Sequence, residues 1–362
     1  MQKISVILLV VWICASCSAE LEKTSSEEFR QIITGEAQGT TWRIVYYDLQ
    51  ERDFTLQVDS ILKRIDASVS TYFEGSTIDA WNKSDSGTRI DPLFLDLLMK
   101  SWDAYVLTEG AFDPTVKPLV SFWGFGPERL THPEKVDPKT IDSLLQLVNF
   151  DTLTLRRNER AVDLAAFDYT GKKSAGYFLH KPMPQMQLDF NAIGQGWSVD
   201  KVVEFLKANE LKVFFVEIGG ELVAGYPKPG RELWRFGIDK PSDGNYERDL
   251  QAVIKLRNKG LATSGNYRKF YEKDGIRFSH TIDPKTGYPV QHQLLSATVV
   301  SESAGKADAL ATAFMVMGAD SSIQFVEGRK YLGSYIYLIS DDQNGGFTTY
   351  QSRQLAGMLE EE

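Results

Sequence analysis

With 362 residues, 43% of them hydrophobic and 25% charged, the chain can bury a large core, as one domain or as two lobes. A formal net charge of −9 and the lack of any Lys/Arg block argue against a nucleic-acid surface. Beyond the N-terminus no stretch is long and apolar enough to span a bilayer.

The N-terminus has the charged, apolar, small-residue order of a secretory signal: Lys3, an apolar run from Ile4 to Ile13, then Ala15-Ser16-Cys17. A Cys directly after Ala-Ser resembles a bacterial lipoprotein box, in which Cys17 is acylated and becomes the first residue of the mature chain. Cys14 stands where such boxes usually carry Leu, and plain secretion or a retained anchor are the alternatives. Both cysteines lie here, so the mature domain carries no disulfide and no thiol nucleophile. Residues 1–17 therefore read as signal, the polar segment 18–30 as a tether, and 31–362 as the folded domain.

Along the domain, a strand region spans Gln31 to Tyr47, broken at GEAQGTTWR. Val58, Ile61, Leu62 and Ile65 recur with helical spacing and predict a helix over Thr55 to Ser68. After the polar-aromatic loop STYFEGSTIDAWN, Pro92 opens a second helix that Gly110 stops. Phe122, Trp123 and Phe125 follow Asp113-Pro114 and suit either core packing under a loop or a pocket for a flat ligand. A helix is expected over Ile141 to Val148, then short strands turned at Arg157 to Arg160.

In QLDFNAIGQGWSVD a strand is expected to end at Phe190. A Gly194-Gln-Gly196 turn then feeds a helix that begins near Gly196, an arrangement able to hold phosphate on backbone N–H groups. Strands are read at Val213 to Ile218, Leu222 to Tyr226, Trp234 to Ile238 and Ala252 to Leu256, with a Gly219-Gly220 turn between the first two. Mixed strands with interspersed helices make the fold class α+β.

Chemistry concentrates between Ser279 and Thr312. SHTIDPKTGYP places an imidazole, His280, beside a turn shaped by Asp283-Pro284 and Gly287. His280 suits a proton carrier or a structural hydrogen bond. A helix is expected from Ser303 to Gly318. On it Asp308 and Thr312, four residues apart, share a face and form part of a cradle for a hard cation. A helix cap and a packed hydroxyl are the plainer alternatives.

GAFDPTVKPLVSFWGFG, LDFNAIGQGWSVD, EIGGE, LATSGNY, SHTIDPKTGYP and ADALATAFMVMG, in this order, resemble the ApbE family of bacterial flavin transferases over about Thr34 to Leu338. The resemblance implies a domain of two mixed α/β lobes with the FAD site between them. It implies Mg²⁺-dependent transfer of FMN from FAD to a Thr hydroxyl of an exported redox protein, releasing AMP. By motif, Asp308 and Thr312 match metal ligands, completed by main-chain oxygens of Ala192 and Ala311. Ala111, Phe112 and Asp113 match the adenosine loop, and Gln38 and Tyr72 match flavin-contacting positions. Asp189, Gln195, Ser264 and the segment from His280 to Ile282 match the remaining cofactor wall.

Gln195 replaces a Lys that is common in the family, and Gln38 stands where Met is common, so the grip on phosphate and flavin differs. His280 is then the candidate base and Asp283 the group that orients it. An FAD pyrophosphatase that uses water, or a flavin-binding lipoprotein without activity, are the competing functions. The expected location is the bacterial cell envelope, acyl-anchored (palmitate) and facing the periplasm.

Overall fold

The computed structural model describes residues 29–126, 132–164, 167, 176–241, 249–267, 270–273 and 276–360. The signal segment, Cys17 and the tether up to residue 28 lie outside the described residues. Phe29 already belongs to the fold, its carbonyl accepting from Asp48 N at 3.0 Å, and the first strand opens at Arg30.

The expected broken strand is a hairpin, β1 (Arg30–Ala37) and β2 (Thr40–Tyr47), closed by Gln38 and Gly39 with φ of 54° and 72°. Positive φ at both turn residues matches the twist of the flanking strands. Helix α1 (Thr55–Val69) buries Val58, Leu62 and Ile65, as the helical spacing requires. Then follow α2 (Thr77–Lys83), β3 (Gly87–Ile90) and α3 (Pro92–Leu107). Asp91 caps α3, accepting from Leu93 N and Phe94 N, and Pro92 occupies its first turn.

Next come α4 (Lys117–Phe122) and α5 (Pro138–Leu145). Helix α5 starts three residues before the expected Ile141, because the Asp137 side chain caps Lys139 N and Pro138 favours the first turn. Strands β4 (Thr154–Arg157), β5 (Arg160–Val162) and β6 (Tyr177–His180) join β3 in a sheet of order β3-β6-β4-β5.

No strand ends at Phe190. Instead the Asn82 amide brackets Leu188, donating to its carbonyl at 3.0 Å and accepting from its N–H at 2.7 Å. One side chain thus stands in for a neighbouring strand. Helix α6 (Asn191–Ala208) begins five residues earlier than expected, so Gly194 and Gly196 lie within it.

The remaining elements are β7 (Phe214–Ile218), β8 (Glu221–Ala224), β9 (Trp234–Asp239), β10 (Leu250–Leu256), β11 (Lys259–Gly265), β12 (Phe270–Lys273), β13 (Ile276–Ser279), β14 (Leu294–Ser301), α7 (Ala304–Met317), α8 (Ala319–Glu327), β15 (Tyr335–Asp341), β16 (Phe347–Gln351) and α9 (Arg353–Ala356). Helix α7 matches the expected span, with Ser303 as its N-cap and Gly318 as its C-cap.

An eight-stranded antiparallel sheet, β1-β2-β7-β8-β11-β14-β15-β16, organises the molecule, so the α+β class holds. One face packs under α6, α7 and α8 through Ile44, Val216, Val223, Val299 and Leu310. The other face carries β9, β10 and α9 over Val45, Leu222, Leu261 and Ile339. Covered on both faces, β14 buries all but one of its residues, which is why LLSATVVS shows no alternation.

Candidate functional site

The site begins where α6 crosses α7. Asp200 on α6 accepts from Ala304 N and Gly305 N, each at 2.9 Å, satisfying the first amides of α7 and locking the two helices together. A Cβ on Gly196 would stand 2.4 Å from the Ala304 carbonyl oxygen and 2.8 Å from Asp308 Cβ. Gly196 therefore permits a helix crossing, and the expected phosphate-holding turn is absent there. Its N–H, which an uninterrupted helix directs at the Ala192 carbonyl, is donated to Asp308 Oδ2 at 3.1 Å. That bond brings the Asp308 carboxylate to the first turn of α6, which carries the Ala192 carbonyl. Ala311 is buried in mid-α7, where its carbonyl belongs to the helix ladder, so it suits a ligand less well than Ala192.

A chain of contacts then joins α7 to the His280 loop. Thr312 Oγ1 lies 3.3 Å from Ser264 Oγ at the end of β11. Two residues on, the Asn266 side chain accepts from Thr281 Oγ1 at 2.6 Å, in buried surroundings. Val290 N donates to the Thr281 carbonyl, and Asp283 N to the Tyr288 carbonyl, closing the loop into a small hairpin. Trp123 Nε1 holds the Gly287 carbonyl at 2.8 Å, and the Phe125 ring meets the His280 ring edge-on at 6.4 Å.

The aromatics after Asp113 thus act as the bed of this loop, extended by stacked Trp123, Phe278, Tyr271 and His132. Both Asp283 oxygens serve their own turn, accepting from Lys285 N and Thr286 Oγ1. Asp283 thus shapes the loop, and the expected orienting bond to His280 is absent from its partners. The Ile282 side chain packs with Leu119, Trp123 and Ile141, which leaves its backbone for any cofactor contact.

The expected adenosine loop is almost entirely inside the protein. Ala111, Phe112 and Asp113 are buried, and Asp113 Oδ1 accepts from Thr115 N and Thr115 Oγ1. Burial raises the Asp113 carboxyl to about 6, against the lowering effect of those bonds. Asp189 N bonds the Pro114 carbonyl at 2.8 Å, and its carboxylate caps Asn191 N at 2.7 Å, so Asp189 ties this loop to the start of α6.

Gln38 Nε2 donates to Ser198 Oγ at 2.8 Å and also supports Asp66, whose carboxyl burial pushes up. Gln195 lies against the Gly219 turn, its Nε2 2.7 Å from where a Cβ would stand. Tyr72 is 69% exposed in the loop between α1 and α2, so its ring presents an aromatic face to solvent.

Several buried polar atoms here have no hydrogen-bond partner: Gln38 Oε1, Thr71 Oγ1 beside Tyr72, Glu221 Oε2, and Ser279 Oγ beside His280. Orphans on or beside the candidate residues are what a site awaiting a polar ligand leaves behind. Burial raises both Asp308 and Glu221, and the Asp308 carboxylate raises Glu221 further. Among the described residues no group of three or more His, Cys, Asp or Glu side chains could hold a metal. Mg²⁺ does not need one, because it takes one or two carboxylates and fills its octahedron with water and phosphate. Asp308, Thr312 and the Ala192 carbonyl fit that demand.

Glu221, Asn266, Asp200 and Ser198 carry no role in the sequence reading, although all four fall within quoted motifs. The available signal was a Glu directly after Gly-Gly in an otherwise apolar strand.

The sequence matches the ApbE family over residues 38–336. It is 33% identical over 355 residues to an FAD:protein FMN transferase of Haemophilus influenzae, covering 96% of this chain and 94% of that one. A Vibrio cholerae protein of the same name is 30% identical over 356 residues, covering 96% and 98%. Among solved structures, flavinyl transferase ApbE of Pseudomonas stutzeri in its apo form superposes with a TM-score of 0.77 at 29% identity, covering 91% of this chain and 96% of that one. Flavin transferase ApbE from Vibrio cholerae gives 0.75 at 29% identity, covering 91% and 99%.

Proposed function

The chain belongs to the ApbE family, and on that premise we propose that it transfers FMN from FAD to a protein. The observation that carries this reading is the near full-length match to relatives named for that reaction. It is supported by a single network that draws Asp308, Thr312, Ser264 and the His280 loop together.

We further propose that the acceptor is a Thr hydroxyl of an exported redox protein and that Mg²⁺ is required. Asp308, Thr312 and the Ala192 carbonyl would hold the cation, which would supply charge neutralisation at the FAD diphosphate. The 111–113 loop holds the adenosine half, Gln38 and Tyr72 contact the flavin, and Asp189, Gln195, Ser264 and the segment from His280 to Ile282 form the rest of the cofactor wall. His280 takes the proton of the acceptor hydroxyl as its oxygen attacks the phosphorus bearing riboflavin. The bond from that phosphorus to the bridging oxygen breaks, and AMP leaves. Where the family often places a Lys, Gln195 offers only an amide, a neutral donor in place of a point charge near the phosphates. In the cell we propose acylation at Cys17, with the domain on the periplasmic side of an envelope membrane. No helix among the described residues is long and apolar enough to cross a membrane.

The test mixes the chain with FAD, Mg²⁺ and an acceptor protein carrying the Thr. Covalently flavinylated acceptor plus AMP is expected from the intact chain, and little of either from Asp308→Ala. Free FMN with no labelled acceptor would overturn transfer in favour of hydrolysis by water.

A further inference from the structure

Glu221 is the first residue of β8, directly after Gly219 and Gly220, whose φ values of 65° and 113° reverse the chain in two residues. Strand alternation then decides where its side chain goes. Leu222 packs on the sheet face under β9 and β10, whereas Val223 packs on the face covered by α6 and α7. Glu221 shares the face of Val223, the one on which Asp308 lies. The preceding turn touches the same place, since Gln195, next to Gly196, lies against Gly219.

A carboxylate is costly there. Glu221 is 7% exposed, its Oε2 has no donor, and the carboxylates whose fields it feels are Asp308 and, less strongly, Glu217. Two buried carboxylates that repel each other, with an oxygen of one left without a donor, form an arrangement that a bound cation resolves. Apolar packing alone would be served by any of the aliphatic side chains that fill the rest of β8.

We propose that Glu221 belongs to the shell of the divalent cation, with Oε2 facing the metal or one of its waters. This rests on the Mg²⁺ reading of Asp308 and adds a second carboxylate to it. Two carboxylates, one hydroxyl and one carbonyl still leave room for phosphate oxygens within six positions around Mg²⁺.

The experiment titrates Mg²⁺ into the FAD-bound chain without acceptor, read by calorimetry and by the rise in unfolding midpoint. FAD affinity is measured separately without Mg²⁺. Glu221→Gln keeps the shape and removes the charge. It is expected to weaken Mg²⁺ binding about tenfold or more, the range seen when groups supporting a metal are removed. Its FAD affinity without Mg²⁺ should be held, and its metal-free unfolding midpoint should be held or rise, since the buried charge beside Asp308 is gone. Should this variant fail to fold, Glu221→Asp moves the charge back by one methylene and is expected to show the same weakening.

Asp308→Asn is the companion variant. If it loses Mg²⁺ while Glu221→Gln binds as the intact chain does, Glu221 is structural and this inference alone falls. If Glu221→Gln loses FAD affinity and keeps its Mg²⁺ response, the carboxylate serves the flavin, and the inference again falls. If the intact chain shows no Mg²⁺ response, both the metal reading and this inference fall.

Discussion

Gly196→Ala tests whether that glycine exists for the crossing of α6 and α7. The added Cβ would sit 2.4 Å from the Ala304 carbonyl oxygen, 2.7 Å from its carbon and 2.8 Å from Asp308 Cβ. The first distance is roughly 1 Å inside ordinary contact. The obstacle is backbone that Asp200 pins through two hydrogen bonds, so no side-chain rotation relieves it. Overpacking of this kind costs about 1–3 kcal/mol, and replacing a helical Gly by Ala returns about 1 kcal/mol of propensity. Because the pinned backbone puts the cost at the upper end of that range, the net is a loss of about 2 kcal/mol, a fall of about 4–8 °C in Tm. Because Gly196 N holds Asp308, the Mg²⁺-induced rise in Tm should shrink as well.

Gly194→Ala is the matched control. It lies in the same helix with nothing within 4 Å of its Cβ, and should be neutral or slightly stabilising. Thermal unfolding of the three proteins, with and without Mg²⁺, gives the comparison. A Gly196→Ala chain as stable as the intact one and with its Mg²⁺ response unchanged would refute the crossing argument.

His280→Asn should slow saturated single-turnover transfer and flatten its rise with pH through the imidazole range, near 6.5 when unperturbed, with FAD affinity held; an unchanged saturated rate would return His280 to a binding role. Asp113 ionises in the fold only near 6, against about 3.9 unfolded. Its folded form therefore holds the proton more tightly, and the stability linked to it is complete below about 4 and lost as pH rises through 6. About two units correspond to an upper figure of roughly 3 kcal/mol. Asp113→Asn, which keeps the Oδ1 acceptor for Thr115, should gain stability relative to the intact chain between pH 5 and pH 8 in urea unfolding; equal shifts at both values would count against burial as the cause. Cys17→Ser should move the domain from membrane pellets to the soluble fraction, and continued pelleting after washing would point to another anchor.

Local signals carried much of this molecule. The spacing of Val58, Leu62 and Ile65, and the caps at Pro92, Ser303 and Gly318, place helices almost to the residue, because periodicity and capping are properties of a few neighbouring residues. Asp308 and Thr312 were readable as a pair for the same reason, since one helical turn relates them.

What the local pattern could not hold is anything decided by a partner distant in the chain. Gly194-Gln-Gly196 looks like a turn when only its neighbours are seen. It lies inside a helix, and its glycine at 196 answers to α7, more than a hundred residues later, which leaves no room for a side chain there. Residues 187–190 look like a strand, but their pairing partner is one Asn side chain from α2. Asp283 appeared a partner for His280 by proximity in sequence, whereas its oxygens close its own turn. The role proposed for Glu221 was invisible, because a charged residue in a strand is ordinary until both sheet faces prove covered and the charges acting on it are other carboxylates. Short-range geometry is written in the order of residues, while the pairing of buried charges and the contact of backbones depend on which elements the sheet brings together.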